Sequence, residues 1–398
     1  MTERRTFLRT SAAALTAASY NQILGANERI RVAGLGVGGR CRYLLGHAVK
    51  HNIDLVALCD IYQPNLDRVR MELAPEARTY TDYRALLDSK DFDAVFIGSP
   101  DHWHVPMTMA AIRAGKDVYV EKPISHTIEE GDALLKTAAG LKQIVQVGYQ
   151  QRSWEHFREA KDIVASGRLG KVSVVLASWY QAFYKTAFPI ELGGVGSPPE
   201  VNQEELNWNA FLGDARPQPF DPYRFKFWRW YWDFGGGHLT DLYSHYGDVI
   251  HWYMGVDTPR AVMSMGSRAV LPRFECPDTI TSIYNYPGDL TVTYTGSLEG
   301  SLDGGNIVFR GTEAVLKINR DGFAIYPEGV IAMEKTQYPE PFLQARSLHD
   351  GTIDHISNFF ACVKSRKQPN SPLETAVPMA RATHWGNQSY RTGKLMQN

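Results

Sequence analysis

Four stretches of this 398-residue chain carry side chains able to do chemistry together. Ser99-Pro-Asp-His-Trp-His104, Glu121-Lys122-Pro123 and Gly148-Tyr-Gln-Gln-Arg152 each follow a short apolar run of strand type. In the fourth, Asp241-Leu-Tyr-Ser-His245, the acid and the imidazole stand four residues apart, on one face of a helix, with His238 and Asp248 along the same stripe. A set of this kind suits proton transfer. Oxidising a secondary alcohol needs a base for the hydroxyl proton and a hydride acceptor about 3–4 Å from the C–H. A side chain can be the base, whereas the acceptor has to be a cofactor, and the chain opens with a place for one.

Arg31-Val-Ala-Gly-Leu35 is an apolar run leading into Gly34-Leu-Gly36-Val-Gly38-Gly39-Arg40 and then a helix-type stretch from Tyr43 to Lys50. A G-x-G-x-x-G that follows a strand and opens a helix is a dinucleotide signature. Gly34 is expected to permit the tight turn, Gly36 to let the backbone approach a pyrophosphate, and Gly39 to allow close helix–strand packing. The next strand, Leu55-Val-Ala-Leu-Cys-Asp60, ends in a carboxylate that would accept bonds from ribose hydroxyls and repel a 2'-phosphate. With Ile61 following, this favours NAD, while Arg40 and Arg42 keep NADP open. Strands at Ala94–Gly98, Asp117–Glu121 and Ile144–Gly148 alternate with helix-type segments at 82–88, 103–114 and 127–140. That alternation predicts a parallel sheet covered on both faces, with ligands bound outside the carboxyl ends of its strands. The polar stretches fall at those ends.

The succession of G-x-G-x-x-G, S-P-D-H-W-H, E-K-P and G-Y-Q-Q-R resembles the glucose-fructose oxidoreductase/inositol dehydrogenase (Gfo/Idh/MocA) family. The resemblance runs on through Trp208 to Gly213, Trp228 to Trp252 and His355-x-x-Asn-Phe-Phe-x-x-x-Lys. It implies an α/β chain: a Rossmann NAD(P)-binding domain over 27–150, then an α+β domain over 151–398 with a large, mainly antiparallel open sheet that binds substrate and builds the oligomer. It also implies that Lys122 reaches the substrate hydroxyl and the nicotinamide, and that Asp241 and His245 complete the catalytic site, His245 being the rival acid/base. A lysine beside a cationic nicotinamide gives up its proton more readily, which agrees with that role. Expected around the cofactor are Gly34, Gly36, Gly38, Gly39, Arg40, Asp60, Ser99, Pro100, His104, Glu121, Lys122, Pro123 and Gln150; expected around the substrate are Lys122, Arg152, Trp232, His238, Asp241 and His245. The spacing of His238, Asp241 and His245 could hold a metal, but chemistry of this type generally needs none, and none is expected.

In the second half a strand-type run at 172–180 is followed later by runs near 260–268, 279–286, 290–297 and 306–318, and these contiguous runs without intervening helices argue for antiparallel pairing. The face of such a sheet commonly packs on another subunit in the family it resembles, so a homodimer or homotetramer is expected. A Gly/Pro-rich loop spans about 183–205. Tyr223 to Trp232 holds seven aromatics in ten positions, out of 9 Trp, 20 Tyr and 17 Phe in the chain. Most should fill a core or interface, with one or two lining the cleft and stacking on sugar C–H faces.

Composition excludes other classes. The net charge of -1 offers no surface for nucleic acid and fits an uncharged carbohydrate. Cys41, Cys59, Cys276 and Cys362 have no C-x-x-C spacing for zinc, and no apolar run approaches the ~20 residues that span a bilayer. Residues 1–26 resemble a twin-arginine export signal: Arg4-Arg5-Thr-Phe-Leu-Arg9, a mild apolar stretch, and a small-residue region ending near Gly25-Ala26. The alternative is an Arg-rich amphipathic helix that stays on the protein. An exported dehydrogenase meets little free NAD, so its cofactor should remain tightly bound and be regenerated in place. Two mechanisms meet that demand: a sugar oxidoreductase that oxidises one sugar and reduces another, and a redox-neutral NAD-dependent glycosidase that oxidises, eliminates and re-reduces. A non-catalytic carbohydrate sensor retaining its dinucleotide is the third reading.

Overall fold

The computed structural model describes residues 29–183, 199–328 and 339–397. The export-type segment and most of the 183–205 loop lie outside them. Two sheets organise the chain. The first has six parallel strands in the order β3-β2-β1-β4-β5-β6: β1 Ile30–Leu35, β2 Ile53–Cys59, β3 Arg78–Tyr80, β4 Ala94–Ile97, β5 Asp117–Val120 and β6 Val145–Val147. Every residue of β4 and β5 is buried, as expected for central strands covered on both faces. The covering helices are α1 Gly39–Ala48, α2 Gln63–Leu73, α3 Tyr83–Leu87, α4 Asp101–Arg113 and α5 Ile128–Ala138. Helix α5 begins with a capping box, in which the Thr127 hydroxyl accepts from the Glu130 amide and the Glu130 carboxylate accepts from the Thr127 amide.

After a 3-10 turn at Gln150–Ser153 and helix α6 (Glu155–Ala165), the chain enters a nine-stranded sheet. Its strands are β7 Val172–Tyr180, β8 Ala261–Ser267, β9 Thr279–Tyr286, β10 Leu290–Ser297, β11 Gly305–Gly311, β12 Ala314–Asn319, β13 Gly322–Pro327, β14 Leu343–Arg346 and β15 Met396–Gln397. Pairing is antiparallel except between β7 and β10, which run parallel at the centre of the order β14-β13-β12-β11-β7-β10-β9-β8-β15. The run expected as one strand over 306–318 is the β11–β12 hairpin. Burial alternates strictly along β9 and β10, so one face of the sheet is packed and the other open. Helices α7 Trp208–Leu212 and α8 Pro222–Lys226, a π turn at Leu239–Tyr243 and helix α9 Ser244–Met254 lie between β7 and β8.

The chain returns to the first sheet near its end. Helix α10 (Thr352–Ser365) places Ile356, Phe359 and Phe360 in one apolar cluster with Val32, Leu44 and Phe96. Arg366 pairs with Asp117 at the start of β5, and helix α11 (Leu373–Thr392) packs along α5 and β8. Through α11 the second sheet is tied to the helix layer of the first.

Candidate active site

The loop after β1 is built around Gly36. Its φ of +66° is one that L side chains rarely adopt, and an added Cβ would lie 2.8 Å from the Ser99 backbone. The other two glycine expectations need correcting. A Cβ on Gly34 would meet Leu45 and Val37 side chains at 2.8 Å, so Gly34, not Gly39, provides the close helix–strand contact. Gly39 has nothing within 4 Å of its Cβ position because it opens α1 into a cleft of about 680 Å³. Gly38, Arg40, Asp60, Ser99 and Pro100 line the same cleft. Asp60 accepts from the Tyr62 amide at 2.9 Å and the Asn65 side-chain amide at 3.1 Å, and burial pushes its carboxyl up to about 6. Gly36→Ala should cost about 1–3 kcal/mol through backbone strain and displacement of Ser99. Thermal melting and dinucleotide bound per protein should both fall; full retention would show that the loop tolerates the side chain.

A second cavity of about 230 Å³ shares Arg40, Ser99, Trp228 and Arg229 with the cleft and continues it toward the second sheet. Here Lys122, Asp241 and His245 meet. Lys122 Nζ donates to Asp241 Oδ1 at 2.7 Å and to the Asp241 carbonyl at 2.5 Å. Arg229 Nε donates to the same Oδ1 at 3.2 Å. Burial alone would raise the Asp241 carboxyl, but Lys122 and Arg229 outweigh it and hold it down at about 2. Burial, with the positive charges of Lys122, Arg320 and Arg40, pushes His245 well below its ordinary value, so its imidazole is neutral near neutral pH. Asp101, at the start of α4, shifts the other way: burial raises its carboxyl well above the usual range.

The E-K-P segment is braced from three sides. Glu121 accepts from Arg40 Nε at 2.8 Å, and a Cβ on Gly148 would stand 2.8 Å from the Glu121 carboxylate, which explains the glycine opening G-Y-Q-Q-R. His104 sets its ring between the Pro123 carbonyl at 2.6 Å and the Ser99 carbonyl at 2.9 Å, tying two strand ends together. His104 and Gln150 both line the small cavity, whereas Gly34 and Pro123 line neither space. The Lys122-Pro123 peptide is cis.

Three expected substrate residues lie elsewhere. His238 contacts the Tyr294 hydroxyl at 3.3 Å and the Asp278 carbonyl at 3.0 Å inside the second sheet's core. The stripe expected from helical spacing is broken because residues 239–243 form a π turn, whose i→i+5 bonding rotates the residues before it relative to helix α9. Arg152 donates to both oxygens of Asp248, fully buried. Trp232 lines a separate cavity with His126 and Arg391, while Trp228, from the same aromatic decad, lines the cleft. Trp230, Tyr231 and Tyr223 fill a core with Phe211, Phe234 and Phe274. Among the described residues no three His, Cys, Asp or Glu side chains gather as a metal would need. Sequence reasoning missed Arg229 and Arg320; it placed Asp101 in a polar strand-end stretch without a role, and it expected one or two aromatics of the decad in the cleft without naming Trp228.

The residues present fit a bound dinucleotide. The glycine cradle faces open space at a helix N-terminus, Asp60 stands at the end of β2, and Ser99 Oγ, Gln150 Oε1 and His245 Nδ1 are enclosed polar atoms with no partner.

Comparison with known proteins agrees with this geometry. Residues 29–149 match the model of an oxidoreductase family with an NAD-binding Rossmann fold, and residues 207–317 match the GFO/IDH/MocA C-terminal domain. The chain is 30% identical to an inositol 2-dehydrogenase of Salmonella typhimurium over 131 residues, 33% of this chain and 39% of that protein. It is 34% identical to a glycosyl hydrolase family 109 protein of Shewanella over 120 residues, 28% of this chain and 26% of that protein. These matches thus span well under half of each relative's length. The myo-inositol 2-dehydrogenase structure from Lactobacillus plantarum superposes with a TM-score of 0.68 over 93% of this chain and 99% of that one, at 22% identity, a likeness of fold. The two family models cover more than half of the sequence between them, and the chain belongs to the Gfo/Idh/MocA family.

Proposed function

We propose that this protein is a sugar or polyol oxidoreductase working with a retained NAD. The observation that carries the reading is the Lys122–Asp241 contact, 2.7 Å, at the floor of a cavity continuous with the dinucleotide cleft. NAD, when bound, supplies the hydride acceptor. The neutral His245 imidazole is able to take the hydroxyl proton directly, Lys122 Nζ can take it once it has passed its own proton on, and Asp241 fixes the lysine's position. Trp228 and Arg229 line the junction between this cavity and the cleft. Asp60 at the ribose position supports NAD over NADP.

A second reading, a redox-neutral glycosidase using the same proton-transfer set, is supported by the likeness to a glycosyl hydrolase family 109 protein. A sensor has no need of such a set. Arg4, Arg5 and the small-residue stretch after them support twin-arginine export to the periplasm, which in turn makes a tightly held cofactor necessary. The open face of the nine-stranded sheet, with Met265 and Ile283 exposed, supports assembly as a homodimer or homotetramer.

Denaturing the purified protein and identifying the molecule it releases tests retention: NAD or NADH is expected, and no dinucleotide would end that part of the proposal. Fresh protein with sugars and glycosides in deuterated water, followed by NMR, separates the mechanisms. Paired aldonolactone and alditol mark the oxidoreductase; deuterium at C2 with loss of the aglycone marks the glycosidase.

A further inference from the structure

The lining of the small cavity carries four cations, Arg40, Lys122, Arg229 and Arg320, against two carboxylates, Glu121 and Asp241. Three of the cations are matched. Arg40 is bonded to Glu121 at 2.8 Å, and Lys122 and Arg229 share Asp241. Arg320 has no carboxylate partner among the described residues, and its Nε is enclosed without an acceptor. Its guanidinium lies over the Trp179 ring at 5.0 Å, the same indole against which the His245 ring stacks at 6.1 Å. An arginine with no carboxylate partner and an enclosed, unpaired Nε is costly in a folded protein unless a ligand compensates it.

The fold holds Arg320 at this position from several sides. Arg320 and Asp321 are the two turn residues of the β12–β13 hairpin, closed by the Asn319–Gly322 pair. Asn319 Oδ1 accepts from the Asp321 amide at 2.8 Å and the Gly322 amide at 3.2 Å, and its carbonyl faces His156 Nε2 at 2.8 Å. Gly322 has a φ of +150°, and a Cβ there would stand 2.1 Å from the Ala345 carbonyl. The turn is therefore pinned by its own side chain, by α6 and by β14, and it delivers the guanidinium into the cavity.

We propose that the substrate of this site is a sugar bearing an anionic group, a carboxylate or a phosphate, which Arg320 binds through its planar guanidinium while the reacting hydroxyl meets Lys122. The placement of the hydroxyl rests on the oxidoreductase reading; the anion clamp does not. It also replaces the expectation of an uncharged carbohydrate, since the near-zero charge of the whole chain hides a local positive surplus.

Titration calorimetry of the dinucleotide-containing protein with glucose against glucuronate, galactose against galacturonate, and glucose 6-phosphate tests this. The acidic member of each pair should bind about 10- to 100-fold more tightly, and the preference should shrink as salt is raised. Arg320→Gln should lose the preference and Arg320→Lys retain part of it, with thermal melting checking that both are folded. Tighter binding of the sugar phosphate than of either uronate would identify the anion as phosphoryl. Binding of uronates without turnover would leave the anion clamp standing and remove the oxidoreductase reading. Equal binding of neutral and acidic members, a preference that survives Arg320→Gln, or failure of every one of these sugars to bind would overturn the proposal.

Discussion

Exchanging Lys122 for Met should lower kcat by about 10²- to 10⁴-fold while the protein still carries its dinucleotide. Methionine keeps the length of the side chain and removes the ammonium, so the cavity retains its shape and loses the proton carrier. Nothing in the glycine cradle or around Asp60 touches Lys122 Nζ, whose hydrogen bonds run to Asp241. Asp241 then keeps only Arg229, at 3.2 Å, and its carboxyl should move up from about 2. That movement sets the sign of the accompanying stability change. A carboxyl depressed in the folded state contributes stability that is complete above its ordinary value near 4 and is lost as pH falls through about 2. In Lys122→Met the contribution should shrink and the acid limb of the unfolding curve should begin at higher pH. Steady-state kinetics, released dinucleotide and acid unfolding by circular dichroism check the three parts separately. An altered acid limb with unchanged kcat would make Lys122 a structural partner of Asp241 and nothing more.

Legibility in the sequence depended on how local each signal was. Five of the first sheet's six strands could be read because each apolar run is bounded by a polar end, and those ends hold Ser99, Glu121 and Gln150 at the cavity, whereas β3, three mostly exposed residues at the sheet edge, carries no such run. Asp241 and His245 came together as their spacing suggested. His238 did not, because a π turn has no period that hydropathy reveals. Arg229 was hidden inside an aromatic decad, and its partner Asp241 is twelve residues on, beyond any helical pairing distance. Arg320 sits in Asn-Arg-Asp-Gly, which reads only as a hairpin turn; where that turn points is set by the nine-strand order, with parallel β7 and β10 at its centre. Roles that depend on long-range register were therefore invisible, while roles at strand ends were not.

Arg152 is the sharpest instance, and it carries the second large effect. Replacing it with Met should destabilise the protein by about 3–5 kcal/mol, because Asp248 would be left as a buried carboxylate without a partner. Arg152 Nε donates to both Asp248 oxygens, at 3.0 and 2.8 Å, and the two side chains are only 7% and 0% exposed. Burial already raises the Asp248 carboxyl despite the arginine beside it, so the pair stands only while both members are present. Its position gives it meaning: Arg152 lies on the turn after β6, two residues beyond Gln150 at the cavity, and Asp248 lies on α9, one turn beyond His245. The ion pair thus fastens the helix that carries His245 to the sheet that carries Lys122. The double variant Arg152→Met/Asp248→Leu should recover most of the lost stability, since two apolar groups replace a desolvated pair at little net cost. Chemical denaturation of the single and double variants measures this, with kcat per folded molecule recorded alongside. If Arg152→Met instead weakens sugar binding and leaves stability intact, Arg152 belongs to the substrate site after all and the ion pair is dispensable.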